Sequence, residues 1–286
     1  MPAGAADSIS AALEESETLP ALAVSAFEQP GGMVEVAALY EREPSRVEVI
    51  TLLWNAGDAV ATLRIEAIAE RNWVAEAEAL RGPVRAGRFL VHGRHDRGKV
   101  PQSRHRIEID AGLAFGTAHH ATTRGCLIAL DRLLKRGEPQ LVYDIGTGTG
   151  ILAIAAARTS AAPVIASDID PIAVATARGN AKLNGVASRV RVVEASGLDH
   201  PMFKGPPPGL LFANILLKPL VRLAPDFARV LPAGGICILS GLLAKQAREA
   251  EAAFRAQGFT LDSRILLDGW AILVMVRMNR LPRAGD

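Results

Sequence analysis

Residues 144–150 read Asp-Ile-Gly-Thr-Gly-Thr-Gly, entered from the apolar run Leu141-Val142-Tyr143 and left through Ile151-Leu152-Ala153-Ile154. Alternating glycines at a strand-to-helix corner leave the backbone bare where a ligand must come close. Three ligand readings compete. A phosphate-binding P-loop needs a Lys-Ser/Thr pair after its last glycine, and Ile151-Leu152 stand there instead. A dinucleotide fingerprint, G-x-G-x-x-G/A, finds its first two glycines at Gly146 and Gly148, but its third place falls on Ile151. The third reading, D-x-G-x-G-x-G, is a loop that holds S-adenosylmethionine: Asp144 opens it, and Gly146 and Gly148 let the backbone lie against the methionine portion. A tight turn without any ligand is the bland alternative, and three alternating glycines plus an acid fit it poorly.

Outward from the loop, strands and helices alternate. Ile151–Thr159 reads as a helix, Pro163–Asp168 as a strand, Pro171–Asn184 as a helix and Arg189–Glu194 as a strand. Leu210–Asn214, Pro219–Val230, Gly235–Ser240 and Ala244–Gln257 continue the alternation, which implies a parallel, doubly wound, Rossmann-like α/β sheet. The last two strands, Phe259–Leu267 and Trp270–Arg277, are separated only by Asp268-Gly269, a hairpin signal, so one of them runs antiparallel. In such units an acid ending the second strand bonds the ribose hydroxyls, about 20 residues past the loop. Asp168 lies 22 residues after Gly146 and takes that role; Asp170, just before Pro171, is read as the cap of the next helix. Ligands sit at the carboxyl ends of the strands, which brings Asn214 into the same crevice. Its carboxamide suits an incoming amine, accepting from N–H and steering the lone pair; the alternative is an Asn that caps the following turn.

The front of the chain differs. Ser8–Glu17 reads as a helix, Ala21–Glu28 and Met33–Tyr40 as strands joined at Pro30-Gly31-Gly32, residues 45–60 as a second helix and Ala61–Ile68 as a strand. The expected organisation is a small α+β domain over 1–80, a connector over 81–108 with one strand at Arg88–His92, and a catalytic domain over 109–286. Residues 1–85 hold 14 acidic and 6 basic residues, a net of −8; the rest, with 16 acidic and 26 basic, carries +10. An acidic lobe repels phosphate and attracts a basic protein surface. The 49% of hydrophobic residues suffice for a full core, yet no run of about 18 apolar residues is present to span a membrane. The N-terminus shows no signal-peptide pattern, and the default compartment is the cytoplasm. Cys126 and Cys237 form no CxxC pair and read as small buried apolar residues rather than as a disulfide or a metal site. His119-His120 invites a metal reading, but neighbouring residues point apart and no third ligand is apparent, so no metal is expected.

Taken together, these stretches resemble the ribosomal protein L11 methyltransferase family, PrmA. The family segment D-P-G-L-A-F-G-T-G-T-H-P-T-T stands here as Asp110-Ala-Gly-Leu-Ala-Phe-Gly-Thr-Ala-His-His-Ala-Thr-Thr123. Its D-I-D-P is Asp168–Pro171, its A-N-I-L is Ala213–Leu216, and its S-G-I-L is Ser240-Gly-Leu-Leu243. The departures are Ala111 and Ala121 in place of prolines, which remove a fixed φ, and Ala118-His119 in place of Gly-Thr. The resemblance implies a class I methyltransferase sheet, cofactor contacts from Thr123, Gly146, Asp168 and Asn214, and a ferredoxin-like N-terminal domain that recognises the substrate. It implies methyl transfer from S-adenosylmethionine to amino groups of a ribosomal protein, lysine side chains and the N-terminal α-amine among them. The expected partner is a basic protein on the acidic front, without direct nucleic-acid or membrane contact, and the expected state is a monomer.

Other functions stay open at this level. A relative acting on another protein lysine, such as one in an electron-transfer flavoprotein, generally lacks the front domain. A nucleic-acid methyltransferase often carries Asn-Pro-Pro-aromatic where this chain has Asn214-Ile-Leu-Leu217, and lacks here the ring that a flipped base would stack on. A non-enzymatic nucleotide-binding module on the same fold is the third alternative.

Overall fold

A computed structural model of the chain describes residues 3–14, 16, 18–29, 33–54, 63–66, 82–110 and 120–279. The contacts divide the chain into two compact units, Met1–Arg71 and Asn72–Asp286.

In the first unit, α1 (Ala3–Glu14) precedes a hairpin of β1 (Ala23–Gln29) and β2 (Met33–Leu39), then α2 (Arg46–Leu52). The strands pair antiparallel from Ala23↔Leu39 to Gln29↔Met33. Ile9 and Leu13 of α1 meet Val49 of α2 and Leu19 in a small apolar cluster. Ser45 caps α2 in a capping box with Glu48, as a Ser-x-x-Glu run dictates. The first helix starts earlier and ends sooner than the expected Ser8–Glu17. The strand read at 61–68 is absent from the described residues 63–66, and the rest of that segment lies outside the described residues.

The second unit is an α/β sandwich. Its elements are β3 (Val84–Ala86), β4 (Phe89–His92), β5 (Arg106–Glu108), α3 (Ala121–Leu134), β6 (Val142–Ile145), α4 (Ile151–Thr159), β7 (Val164–Asp168), α5 (Pro171–Leu183), β8 (Val190–Glu194), β9 (Leu210–Asn214), α6 (Leu217–Val230), β10 (Ile236–Leu243), α7 (Ala247–Ala256), β11 (Phe259–Leu267) and β12 (Trp270–Arg277). Seven strands form the main sheet in the order β11-β12-β10-β9-β6-β7-β8. Strands β10, β9, β6, β7 and β8 run parallel to one another, and β12 is antiparallel to both β10 and β11. Side chains alternate between faces along each strand. Val142, Phe212, Ile238 and Ile272 point to the face that also holds Leu127, Leu130, Ile154 and Ala177 from α3, α4 and α5. Tyr143, Leu211, Leu239 and Leu273 point to the other, under Leu220, Phe227 and Phe254 of α6 and α7. Both faces are covered, which is why these strands are continuous apolar runs without polar alternation. Each of these fully buried large side chains contributes roughly 1.5–3 kcal/mol.

Where one connecting strand was expected, the structure has a second sheet of three, β3-β4-β5. β4 pairs antiparallel with β3 and parallel with β5. The reading missed β3 and β5 because each is three residues long and carries arginine at Arg85 and Arg106. Two asparagines one turn apart on α5 hold this sheet to the main fold. Asn184 accepts from the Glu108 backbone N–H at 3.0 Å and donates to the Glu108 carbonyl at 2.7 Å. Asn180 accepts from the Asp110 N–H at 3.0 Å and donates to the carbonyls of Asp110 and Thr149 at 3.0 and 2.9 Å. Each carboxamide thus stands in for the missing ladder partner of a buried strand end. Replacing Asn184 by Leu, close to it in size, leaves the amide and carbonyl of Glu108 buried without partners. The expected cost is about 2–4 kcal/mol, read from urea unfolding; a loss under about 0.5 kcal/mol would refute the clamp.

Candidate active site

The glycine loop turns between β6 and α4 at the carboxyl edge of the sheet. Gly146 has φ of +71°, a region open to glycine but strained for other residues, and a Cβ there would lie 2.3 Å from Cγ2 of Ile215. The backbone N–H groups of Gly146 and Thr147 both donate to the Ser167 carbonyl, at 2.8 and 2.9 Å, which pins the loop to the end of β7. Asp168 stands at that strand end. One of its oxygens accepts from the Gly148 N–H at 2.8 Å, the other from the Asp170 N–H at 3.1 Å. Asp170 caps α5 by accepting from the Ile172 N–H at 2.8 Å, just before Pro171.

Asp144 behaves differently. It is buried, and one carboxylate oxygen accepts from the Thr147 hydroxyl at 2.6 Å and from the Ala153 N–H at 3.1 Å. It therefore closes the loop upon itself and satisfies an orphan amide in the first turn of α4. Burial pushes its carboxyl up from the usual 3.8 to about 6; the hydrogen bonds from Thr147 and Ala153 oppose the rise, and the charge of nearby Asp168 adds to it.

Across the crevice, β9 ends at Asn214, which pairs in register with Ser240 of β10. The Asn214 amide group donates to the Thr123 hydroxyl at 3.4 Å, and Thr123 is fully buried in the first turn of α3. The other half of the carboxamide, Oδ1, is buried and has no hydrogen-bond partner among the described residues. An orphaned acceptor of this kind is costly, and it marks a place where a donor belongs. Ile215 follows, and Gly241 of β10 presses on its backbone: a Cβ at Gly241, where φ is +81°, would lie 2.3 Å from the Ile215 carbonyl oxygen. This contact coincides with a register shift between Leu239 and Leu242 in the pairing of β10 with β12.

The fold therefore gathers Asp144, Gly146, Gly148 and Asp168 on one side of the crevice, and Thr123 with Asn214 on the other. Residues 111–119, which include most of the long segment leading to Thr123, lie outside the described residues. His120 stands at the N-cap position of α3 without a side-chain capping bond, with its ring edge-to-face against Trp270 at 4.8 Å and Nδ1 at 2.7 Å from the Thr122 hydroxyl. Sequence reasoning left out Ile215 as a spacer and Trp270 as a neighbour of His120. The first had a signal, a bulky residue between two glycine-bearing strand ends; the second depends on strand register, which no local pattern reports. Among the described residues no cluster of three or more His, Cys, Asp or Glu is placed to hold a metal ion. Cys126 and Cys237 are free and buried.

A buried carboxyl whose pKa is raised in the fold stabilises it below the ordinary value, and that contribution is lost as pH climbs through about 6. Two units correspond to about 3 kcal/mol. Asp144→Asn keeps the shape and removes the charge. The variant is expected to match the parent in unfolding free energy near pH 4 and to exceed it by about 1–3 kcal/mol at pH 8. A difference that does not change with pH would show that the buried charge is tolerated without strain.

The family model described as "Ribosomal protein L11 methyltransferase (PrmA)" matches residues 4–278. A ribosomal protein L11 methyltransferase of Rhodopseudomonas palustris (strain BisB5) is 46% identical over 259 residues, covering 90% of this chain and 88% of that protein. One from Caulobacter sp. (strain K31) is 42% identical over 270 residues, covering 93% and 86%. The crystal structure of a ribosomal protein L11 methylase from Lactobacillus delbrueckii subsp. bulgaricus superposes with a TM-score of 0.62 at 29% identity, over 69% of this chain and 100% of that one. With its glycine loop, strand-end acid and crevice asparagine in the order that resemblance implied, the chain belongs to the ribosomal protein L11 methyltransferase family.

Proposed function

We propose that this methyltransferase transfers methyl groups from S-adenosylmethionine to amino groups of ribosomal protein L11, with lysine side chains as the main acceptors. The observation that carries the reading is the buried, unsatisfied Oδ1 of Asn214 at the carboxyl end of β9, the strand that pairs with β6, which leads into the glycine loop. S-adenosylmethionine supplies a methyl already activated on a sulfonium, so the protein's task is chiefly to place two reactants in line.

The residues suit that task. A carboxylate has about four lone-pair sites, and Asp168 uses one on each oxygen for backbone N–H groups, leaving the others for ribose hydroxyls. Gly146 and Gly148 bring bare backbone to the methionine portion. Asp144 serves the cofactor at one remove, by shaping the loop through Thr147 and Ala153. Asn214, steadied by Thr123, accepts from the substrate amine and directs its lone pair toward the methyl. No carboxylate adjoins Asn214 in sequence, and Asp144 is enclosed in its own hydrogen bonds. The amine is therefore made neutral by desolvation and loses its proton to water. A lysine in water is neutral only about once in 10³ molecules at pH 7, whereas an α-amine with pKa about 8 starts far closer, which makes the N-terminal amine a second acceptor.

The first unit takes the role of substrate recognition in this reading, as a ferredoxin-like domain over 1–80 joined through 81–108 to the catalytic part. Its support is charge: 14 acidic against 6 basic residues in 1–85 present a negative surface to a basic ribosomal protein. The same sign disfavours direct nucleic-acid binding by that unit. No helix among the described residues is long and apolar enough to cross a membrane; the reading takes the enzyme to act as a monomer in the cytoplasm.

The test is incubation of the enzyme with labelled cofactor and L11 from an undermethylated source, the labelled band being identified by mass. Asn214→Ala is expected to lower kcat roughly 10²-fold while leaving cofactor affinity within about threefold, because it misplaces the amine only. Asp168→Ala is expected to weaken cofactor binding by calorimetry about 100-fold, near 3 kcal/mol, through loss of charge-assisted bonds. Equal damage to both parameters in both variants would dissolve this division of labour. With desolvation as the source of neutral amine, the chemical step should speed up as pH rises from 6 to 9; a flat profile under single-turnover conditions would count against it.

A further inference from the structure

We propose that Trp270 is the specificity-determining wall of the amine site, along which the methylene stem and ammonium head of the entering lysine pack. The proposal rests on the reading of Asn214 as the amine acceptor. Four observations place the ring there. β12 is antiparallel to β10, so its first residue, Trp270, lies at the same edge of the sheet as the carboxyl end of β9, and it pairs with Leu243 three residues beyond Ser240. The ring is held edge-to-face by His120 at 4.8 Å and 64°. His120 is the N-cap of α3, and Thr123 in the first turn of that helix contacts the Asn214 carboxamide. The N-terminal end of α3 therefore meets the amine acceptor through Thr123 and the indole through His120.

The hairpin that carries Trp270 is fixed twice. Arg124, one turn into α3, pairs with Asp268 in the turn at 2.6 Å, and the Ala244 N–H donates to the Gly269 carbonyl at 2.8 Å. On the other lip, Leu216 follows directly after the crevice and is 73% exposed, an apolar side chain with no burial of its own. An indole and a leucine at the mouth suit a long unbranched stem that ends in a cation, since aliphatic carbon packs on both and an ammonium is attracted by the ring face. They suit neither an anionic phosphate backbone nor a short, branched acceptor. Trp270 lies outside the loop and strand-end acid that serve the cofactor, so its contribution falls on the substrate.

The experiment uses the full-length enzyme and L11. Transfer to L11 by the parent enzyme tests the underlying reading: an inert parent overturns that reading, and this proposal with it. Given an active parent, Trp270→Ala is expected to raise KM for L11 roughly 5- to 30-fold, with the Kd for S-adenosylmethionine unchanged within twofold by calorimetry. Trp270→Phe, which keeps a ring on the same strand, should recover most of the loss. Trp270→Met, which keeps apolar bulk without a ring and guards against a misfolded Ala variant, should resemble Trp270→Ala in KM while its Tm stays near the parent's. An unchanged KM in both ringless variants, or a cofactor Kd that weakens in step with KM, would overturn the assignment.

Discussion

Ile215 is squeezed between two strands that have no side chains where they meet it. Its methyl group fills the space a Cβ at Gly146 would need, and its backbone fills the space a Cβ at Gly241 would need. Packed interiors accept little change of volume, so this contact sets how far apart the ends of β6, β9 and β10 lie. The crevice width follows. The glycine loop is drawn toward β9 on one side, β10 bulges on the other, and the residue before Ile215, Asn214, keeps one buried carboxamide oxygen without a partner among the described residues. The order of strands, with β6 flanked by β7 and β9, places the crevice where the strand order reverses, the usual position for a ligand in such folds.

Polar groups complete what the apolar packing begins. Asp168 ties loop to strand, Asp144 ties the loop to the helix after it, and Asn180 with Asn184 tie the short second sheet to α5. Asp144 carries a penalty for this, visible in a carboxyl pushed up to about 6 by burial. A group kept at such a disadvantage fits a position where shape matters more than stability. The loop it closes is the one that meets the cofactor in our reading.

Much of this was legible in the residues because the second unit obeys local rules. Apolar runs of strand length alternate with helical stretches, Asp170-Pro171 announces a helix start, and Asp268-Gly269 announces the hairpin; each stands in the structure close to its expected bounds. The family segments carried the site residues. What escaped was set by distant contacts. β3 and β5 are too short and too basic to show a period, and they exist because α3 and α4 and two asparagines receive them. Asn180 and Asn184 look in sequence like ordinary surface residues of a helix end, and only their partners 70 and 76 residues away reveal a buried pair. Trp270 reads as one more strand residue until the register of β12 brings it to His120. In the first unit the apolar cluster is small and the strand expected at 61–68 has no counterpart in the described residues 63–66.

The position of β12 has a consequence for how the molecule is made. It is the last strand in sequence yet lies inside the sheet, hydrogen-bonded to β10 on one side and β11 on the other. While a ribosome is still adding these residues, β10 presents an open flank, with a row of unsatisfied backbone groups that invites pairing with the wrong strand. Chain growth from the N-terminus therefore leaves the sheet split until Arg277 has emerged, and assembly of the site waits on β12. A nonsense mutation within 270–277 would remove an inner plank rather than trim a border, and its product should be cleared as unfolded chain instead of persisting as a weakened enzyme.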